Sequence, residues 1–242
     1  MIEVNSLWIG SKLSDLEVLS IKSHLFQGHK YNLWCYGTPE NVPTGANIMD
    51  GKEILPEEEI FQYQIGEGKG SYSAFSNSFR YKLLYEKGGW WSDTDVVALK
   101  PFDFESDYVF ASERTPIGMI HPTTCVIKAP KSSEVMNFCY KESIKHDKST
   151  LEWGTIGPCL IKMAIFLHRK KDQVKDPNVF CPVDWFFSEL DPLVSYEINL
   201  TNSHSVHLWN EMWRRKDIDK NEKQEESTLY EKLKRDYLYS HT

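Results

Sequence analysis

Residues 72–102 read YSAFSNSFRYKLLYEKGGWWSDTDVVALKPF. Apolar side chains recur every three or four positions between Tyr72 and Leu83, which predicts a helix over Tyr72–Lys87. Gly88-Gly89 ends this helix, and a short strand through Trp90-Trp91 follows. Successive strand residues face opposite sides, so we expect one tryptophan in the core and one near a site. The strand leads directly into Asp93-Thr94-Asp95.

The two carboxylates of this acidic segment are two residues apart, so in extended chain Asp93 and Asp95 point to the same side. Unpaired carboxylates at that separation repel each other and are stabilised by a shared cation. Their hard oxygen atoms suit Mg2+ or Mn2+, which in turn bind phosphate oxygens. A calcium loop is excluded because a third acid and a glycine at the required offset are missing. A lone Asp-x-Asp also occurs in solvated turns, and that alternative stays open on the spacing alone.

Strand and helix signals alternate on both sides of this stretch. They predict one α/β domain over residues 1–242, with helices on both sides of a mixed sheet and a less regular second half. The predicted strands cover Ile2–Ile9, Tyr31–Tyr36, Ala46–Met49, Tyr108–Ala111 and Cys125–Lys128. The predicted helices follow a Ser14–Glu17 capping box, start at Pro56, and cover Glu134–Lys145, Pro158–His168 and Ser227–Tyr239.

The overall composition argues against some classes of function. The net charge of −7 on 242 residues argues against nucleic-acid binding, because no basic face dominates. Five cysteines without a Cys-x-x-Cys pair favour buried thiols in a reducing compartment. No stretch reaches transmembrane length, so we expect a cytoplasmic protein. The loop Gly66–Gly70 lacks the Gly-Lys-Ser/Thr ending of a phosphate-binding loop.

The run Phe75–Phe102 resembles the DXD sugar-binding region of retaining glycosyltransferases, which include capsular and lipopolysaccharide transferases, α-1,4-glycosyltransferases and the glucosylating clostridial toxins. Three other segments are similar to the same family: Leu7–Gly10, Trp153–Pro158 and His207–Asn210. The resemblance implies a GT-A fold. Residues 1 to about 130 would bind the nucleotide sugar, and residues from about 131 to 242 would form the acceptor side and a C-terminal helix.

The resemblance also implies a set of site residues. Asp95, Asp93 and His207 would bind Mn2+ or Mg2+, and Asp93, Asp95 and Arg80 would form the catalytic group. The implied substrate-binding residues are Trp8, Ile9, Gly10, Asn77, Arg80, Thr94, Gly157, Asn210 and Trp213. Among them, Trp8 would stack on the nucleotide base, and Trp213 has core packing as an alternative. Where the family often carries Asp-x-x-Arg, this chain has Asn77 before Arg80, so donor choice differs or hydroxyl recognition uses an uncharged amide.

The function implied is metal-dependent transfer of a hexose from a nucleotide sugar, UDP-linked by preference, to a saccharide with retention. The acceptor would be a surface polysaccharide, a lipopolysaccharide or a lipid-linked oligosaccharide. Two other functions stay open: a non-catalytic nucleotide- or glycan-binding module, and a glycoside hydrolase using Asp93 and Asp95. Glu113 and Glu152 are acids that we expect near the acceptor. The C-terminal helix, with Lys232, Lys234 and Arg235, lies either on a membrane surface or packed on the domain.

Overall fold

A computed structural model describes residues 1–186 and 198–239 of the chain. Its strands are β1 (Glu3–Trp8), β2 (Lys30–Cys35), β3 (Asn47–Asp50), β4 (Gly89–Ser92), β5 (Val96–Ala98), β6 (Val109–Arg114), β7 (Ile120–Ala129) and β8 (Ser205–His207). Six of them form one mixed sheet in the order β3-β2-β1-β4-β7-β6. The first four strands in that order are parallel, and β7 runs antiparallel to both β4 and β6. The predicted mixed α/β sheet is confirmed.

Helices cover both faces of the sheet. They are α1 (Asp15–Phe26), α2 (Ser73–Lys87), α3 (Glu134–Ser143), α4 (Leu160–Leu167), α5 (Pro177–Phe180), α6 (Asn210–Arg215) and α7 (Leu229–Leu233). One apolar core joins the sheet to α1, α5 and the C-terminal elements, and a second joins the opposite face to α2, α3 and α4. Trp90 packs in the first core and Trp91 in the second, as their adjacent positions require.

The helix ends follow the sequence signals. The Glu17 carboxylate accepts hydrogen bonds from both the backbone N–H and the hydroxyl of Ser14, which fixes the start of α1. At the end of α2, Gly88 has a φ of 72°. A Cβ atom there would lie 2.5 Å from the Lys131 backbone nitrogen, so only glycine fits this turn. The end of α2 and the start of β4 are therefore fixed by one residue.

Two predicted helices differ from the structure. The segment after Pro56 forms only a single 3-10 turn, Glu57–Glu59. The helix predicted to start at Pro158 instead begins with a wide turn over Thr155–Cys159, and regular α4 starts at Leu160. Gly157 causes the change, because its φ of −102° and ψ of −113° interrupt helical geometry.

The small sheet of β5 and β8 links the two halves of the sequence. The strands are antiparallel, with Val96 opposite His207. The Leu208 N–H donates to the Asp95 carbonyl across the same register, at 2.8 Å. This pairing places residue 207 beside the acidic turn although more than a hundred positions separate them in sequence.

The C-terminal helix packs its apolar side on the domain, and of its basic residues Lys234 is buried while Lys232 and Arg235 are exposed. Leu229 and Leu233 are buried, and the Phe26 and Tyr237 rings meet edge to face at 5.4 Å between centroids. The Lys234 ammonium is 1% exposed and pairs with Glu231 and Asp15. The interpretation as a packed helix is confirmed. Within the described residues, no helix combines the length and the apolar character needed to cross a membrane.

Candidate active site

The acidic segment forms a tight turn at the carboxyl end of β4. The Asp93 N–H donates to the Cys125 carbonyl on β7 at 2.8 Å, and the Val96 N–H donates back to the Asp93 carbonyl at 3.1 Å. The sequence-based expectation of an extended Asp93–Asp95 segment is therefore wrong. The turn still brings both carboxylates to the same place, because it folds back over the edge where parallel strands β1 and β4 end.

The side chains of Arg80 and Trp91 fix the Asp93 carboxylate. The Arg80 Nη1 atom lies 3.0 Å from one Asp93 carboxylate oxygen and 3.3 Å from the other. The Trp91 indole N–H donates to Oδ1 at 2.8 Å. Trp91 is thus the tryptophan of the pair that reaches the site. Both donors approach from the protein interior, so the orientation of the Asp93 carboxylate is fixed before any ligand binds.

Arg80 is buried, with 3% of its side chain exposed. Beyond Asp93, it donates to the Thr124 carbonyl and to both the carbonyl and the hydroxyl of Ser76, and its guanidinium stacks 4.8 Å from the Trp91 ring centroid. The resemblance implied direct contact with the sugar or the diphosphate. In this structure, the geometry of Arg80 is that of a residue that positions Asp93 and neutralises part of its charge.

Asp95 is held by β8 and by the start of α6. The His207 Nε2–H donates to Asp95 Oδ2 at 3.2 Å, and the Asn210 backbone N–H donates to the same oxygen at 2.8 Å. Asp95 and His207 are each 7% exposed. A backbone N–H and an imidazole thus fix one oxygen of Asp95.

The pKa values of the two aspartates shift in opposite directions. Burial raises the pKa of Asp93, although the Arg80 charge opposes this effect. Burial also tends to raise the pKa of Asp95, but the charge and hydrogen bond of His207 outweigh it and lower that pKa below its ordinary value. Burial tends to lower the pKa of His207, and the adjacent Asp95 raises it well above the usual range. Without a cation, Asp95 and His207 therefore form a buried ion pair; a bound cation would replace the His207 proton, because a ligating imidazole must be neutral.

The donor set fits a divalent cation. Ligand atoms of Asp93, Asp95 and His207 all lie within 4.8 Å of one another. His207 Nδ1 is buried and makes no hydrogen bond of normal geometry among the described residues; only the Cys125 sulfur, a weak partner, interacts with the ring. Two carboxylates with one imidazole form a mainly hard set that suits Mn2+ or Mg2+.

Asn77 lies beside this group with Gly157. Its side-chain oxygen accepts a hydrogen bond from the Thr124 hydroxyl at 3.1 Å. A Cβ atom on Gly157 would lie 3.0 Å from the Asn77 Nδ2 atom, so the turn before α4 packs closely on that amide. The structure thus brings together Asn77, Arg80 and Gly157, which sequence reasoning assigned separately.

Trp8 marks the same edge of the sheet at the end of β1. Its indole Nε1 is buried and has no hydrogen-bond partner within the described residues. A Cβ atom at Gly10 would lie 3.1 Å from that nitrogen, and the Lys220 ammonium lies 5.7 Å from the ring centroid. Ile9 and Thr94 are half-buried. A partly exposed ring at a strand end is the placement that stacking on a base requires.

Trp213 differs from the other implied contacts. It is 1% exposed, its N–H donates to the Leu208 carbonyl at 2.7 Å, and its ring packs on Tyr230. The structure therefore places Trp213, a residue of α6, in the core, where its ring anchors the helix that begins at Asn210. Asn210 reaches the site through its backbone N–H.

Several neighbours of the site were not found in the sequence. Cys125 and Cys181 lie behind His207 with their sulfur atoms 3.4 Å apart, and Thr124 contacts both Arg80 and Asn77. No local spacing predicts them, because pairing of β7 with β4 brings in Thr124 and Cys125, and packing of α5 on β8 brings in Cys181. Glu113, expected near the acceptor, is half-buried within electrostatic reach of His207, and burial raises its pKa.

Comparison with known proteins adds independent findings. Residues 11–116 match the family model "Glycosyltransferase sugar-binding region containing DXD motif". A search of curated proteins by sequence finds no match. Among solved structures, the PaToxG glycosyltransferase superposes with a TM-score of 0.50 at 15% identity, covering 69% of each chain.

Two further solved structures are more distant. The galactosyltransferase LgtC, solved with donor and acceptor sugar analogues, has a TM-score of 0.49 at 10% identity, with 99% of this chain and 98% of that one covered. The glycosyltransferase GlyE from Streptococcus pneumoniae has a TM-score of 0.41 at 13% identity, with 73% of this chain and 45% of that one covered. Residues 11–116, which include Asp93 and Asp95, are thus similar to the glycosyltransferase sugar-binding region with a DXD motif, and the chain has a GT-A fold, as the resemblance implied.

Proposed function

We propose that this chain is a metal-dependent hexosyltransferase that uses a UDP-linked sugar and transfers the sugar to a saccharide acceptor with retention. The observation that carries the proposal is the convergence of Asp93, Asp95 and His207 within 4.8 Å, each fixed by its own partners. Substrates of open α/β sheets bind outside the carboxyl ends of the strands, which is where this group lies.

The proposed roles in the donor half of the site follow from the charge that the reaction develops. Cleavage of the sugar–phosphate bond leaves negative charge on the nucleoside diphosphate. A divalent ion bound by Asp95, Asp93 and His207 would supply Lewis-acid stabilisation of that charge. We propose that Trp8 stacks on the base beside Ile9 and Gly10, and that Asn77 and Thr94 contact the sugar. Arg80 holds Asp93 in place through its buried guanidinium.

The acceptor half of the proposed site lies beside Asn77 and His207. The turn at Gly157 packs on Asn77 and so borders the sugar position. Glu113 lies on β6, the edge strand separated from β1 by β4 and β7, within electrostatic reach of His207, and is proposed to face the acceptor. In a retaining reaction of this type, the acceptor hydroxyl attacks from the leaving-group face and a phosphate oxygen takes its proton. No protein nucleophile is then needed, and none is proposed.

The geometry disfavours a glycoside hydrolase. Catalytic carboxylates of retaining hydrolases stand about 5–5.5 Å apart across the sugar, and those of inverting enzymes stand farther apart. Asp93 and Asp95 lie on one turn, and their ligand atoms are closer than that. We further propose that residues 1–242 act as one domain in cytoplasmic synthesis of a surface polysaccharide or lipopolysaccharide, with the donor bound mainly by residues 1 to about 130.

The test is donor turnover by the purified protein. UDP-glucose, UDP-galactose and UDP-N-acetylglucosamine are incubated with Mn2+, with Mg2+ or with EDTA, and released UDP is measured. We expect UDP release with at least one donor and a metal, none with EDTA, and an α-configured product by NMR from an α-linked donor. Donor binding without turnover would indicate a non-catalytic module. Sugar release from a glycan with EDTA and no donor would indicate a hydrolase.

A further inference from the structure

One side of the molecule exposes an unusual amount of apolar side chain. Fourteen large hydrophobic residues are exposed among the described residues, and six of them lie on the β6–β7 hairpin and the outer side of α4. We call this set the α4 surface: Ile117, Met119, Ile120, Met163, Phe166 and Leu167. Scattered single apolar residues are ordinary on a protein surface, but a concentrated patch marks a contact.

The hairpin and the helix form one continuous surface. A groove of about 540 Å³ separates them, and its walls include Ile120 and Pro122 from the hairpin and Met163 and Phe166 from α4. The inner face of α4 is buried in the core, so its outer residues are held in fixed positions. Phe166 is 62% exposed and Ile117 at the hairpin tip is 77% exposed.

The rim of this surface is basic, although the chain as a whole has a net charge of −7. Residues 160–172 contain Lys162, Arg169, Lys170 and Lys171 and a single acid, the exposed Asp172, and the hairpin residues 115–122 contain no acid. None of these four cations forms an ion pair with a carboxylate in the part of the chain that the structure describes. The Lys171 ammonium lies 4.9 Å from the Phe166 ring centroid, so charge and apolar surface are interleaved.

We propose that the α4 surface docks on an anionic lipid bilayer, with its apolar side chains among the acyl boundary and its four cations on headgroup phosphates. This combination is the one that interfacial helices use: apolar burial plus electrostatic attraction. A second copy of the chain fits less well, because two identical basic rims would face each other and repel.

The placement has a consequence for the acceptor. Strand β7 carries Ile120 at the α4 surface and Thr124 at the site. Four residues of extended chain span about 13 Å, so the bilayer would lie near the acceptor side of the site. That distance suits a saccharide acceptor linked to a lipid. The docking itself does not depend on the proposed function, since it concerns a different surface.

The test is flotation of the full chain with vesicles. We compare vesicles of phosphatidylcholine alone with vesicles containing 30% phosphatidylglycerol, a fraction of about one third chosen to give an anionic surface. We expect binding to the anionic vesicles only, and a loss of most of that binding in about 0.5 M salt. Absence of binding, or equal binding to both vesicles, would overturn the proposal.

Two pairs of variants locate the contact. Met163→Ser with Phe166→Ser and, separately, Lys170→Glu with Lys171→Glu are each expected to reduce the bound fraction about tenfold. The matched controls change exposed residues elsewhere: Ile65→Ser with Ile144→Ser, and Lys131→Glu with Lys141→Glu. Loss of binding in the controls, or retention in both test variants, would contradict the assignment. UDP release and thermal unfolding of each variant check that the fold is intact.

Gel filtration separates the bilayer from a second copy. A wild-type dimer that Met163→Ser with Phe166→Ser converts to a monomer would show that the α4 surface is a contact between chains, and the bilayer proposal would fail. A monomer in both cases, together with anionic flotation, supports the bilayer.

Discussion

Two buried pairs of side chains that contain histidine lie close to β4. They differ in charge and in the hydrogen bonds of their ring nitrogens. His24 and His29 contact each other, whereas His207 contacts Asp95. All four residues are at most 7% exposed. The difference lies in how their polar atoms are used.

Every ring nitrogen of His24 and His29 has a hydrogen-bond partner. The Phe102 N–H donates to His29 Nε2, so the His29 proton is assigned to Nδ1 and donated to His24 Nδ1 at 2.9 Å. His24 Nε2–H then donates to the Ser92 hydroxyl at 3.1 Å. Burial lowers the pKa of His29 to about 4 and that of His24 well below the usual range, so both rings are neutral. This pair ties α1 to β4 and has no atom left for a ligand.

The His207–Asp95 pair has the opposite character. It is charged, it leaves His207 Nδ1 without a normal hydrogen bond among the described residues, and Asp93 lies next to it. A buried polar atom without a normal hydrogen bond persists where a ligand or an ion completes it. Burial alone therefore does not distinguish a structural histidine from a functional one. A ring nitrogen without a normal hydrogen bond, next to a carboxylate, does distinguish them.

Among the variants that test this difference, Asp95→Asn should have the largest effect on activity. The amide keeps the size of the side chain and an oxygen for the Asn210 N–H, but it removes the charge that a cation needs. We expect UDP release to fall by about 1,000-fold or more, with the thermal unfolding curve within a few degrees of wild type. Asp103→Asn, on an exposed residue, is the matched control and should leave activity unchanged. Wild-type turnover by Asp95→Asn would remove the site from this turn.

His207→Gln should have the next largest effect. Its backbone pairing with Val96 stays, while the imidazole ligand is lost. We expect the Mn2+ concentration for half-maximal UDP release to rise on the order of 10–100-fold, with partial recovery at high Mn2+. His29→Gln is the contrasting variant and should leave the Mn2+ requirement unchanged while lowering stability. Equal Mn2+ requirements in His207→Gln and wild type would show that His207 is not a ligand.

The neutral pair predicts a pH dependence of stability. The folded pKa of His29 is lowered from 6.5 to about 4, so the unfolded chain binds more protons between these values. The His29 contribution to the free energy of unfolding should therefore decrease as the pH falls below about 6.5, by at most about 2 kcal/mol at pH 5 before screening reduces it, and level off near pH 4. Urea unfolding at pH 7.5, 6 and 5 measures this change. A shallower dependence is expected for His29→Gln; an identical slope would contradict the assignment of a neutral pair.

Trp8→Leu should have the smallest effect. Trp8 also leaves a polar atom without a partner at the sheet edge, which extends the comparison to a second residue. Loss of base stacking, worth about 1–3 kcal/mol, should raise the KM for the donor about fivefold or more with little change in kcat. Trp213→Leu is the contrast, because its ring is in the core and its loss should lower the melting temperature first. A donor KM unaffected by Trp8→Leu would place the base elsewhere.

Local sequence signals predicted the elements that hold the site but not how they meet. The helix over Tyr72–Lys87 and the strand through Trp90 and Trp91 were predicted within one or two residues, because their apolar spacing and the two glycines are local features. The turn at Asp93 was predicted as extended chain, since the Val96 N–H bond that closes it has no local sequence signal.

Long-range pairing accounts for the rest. His207 was reached only through the resemblance, because the β5–β8 register joins segments that composition and periodicity cannot link. The same limit applies to Arg80, whose pairing with Asp93 depends on packing between α2 and β4. For Trp213, the residue type suited both a ligand contact and the core, and only burial separates them.

The most direct test of the central claim is Mn2+ binding in the presence of UDP, followed by the loss of the free-ion signal in electron paramagnetic resonance. The account predicts that wild type binds one Mn2+ per chain when UDP is present, and that Asp95→Asn binds none at the same concentrations. Equal Mn2+ binding by Asp95→Asn, or no UDP-dependent binding by wild type, would contradict a metal site at Asp93, Asp95 and His207.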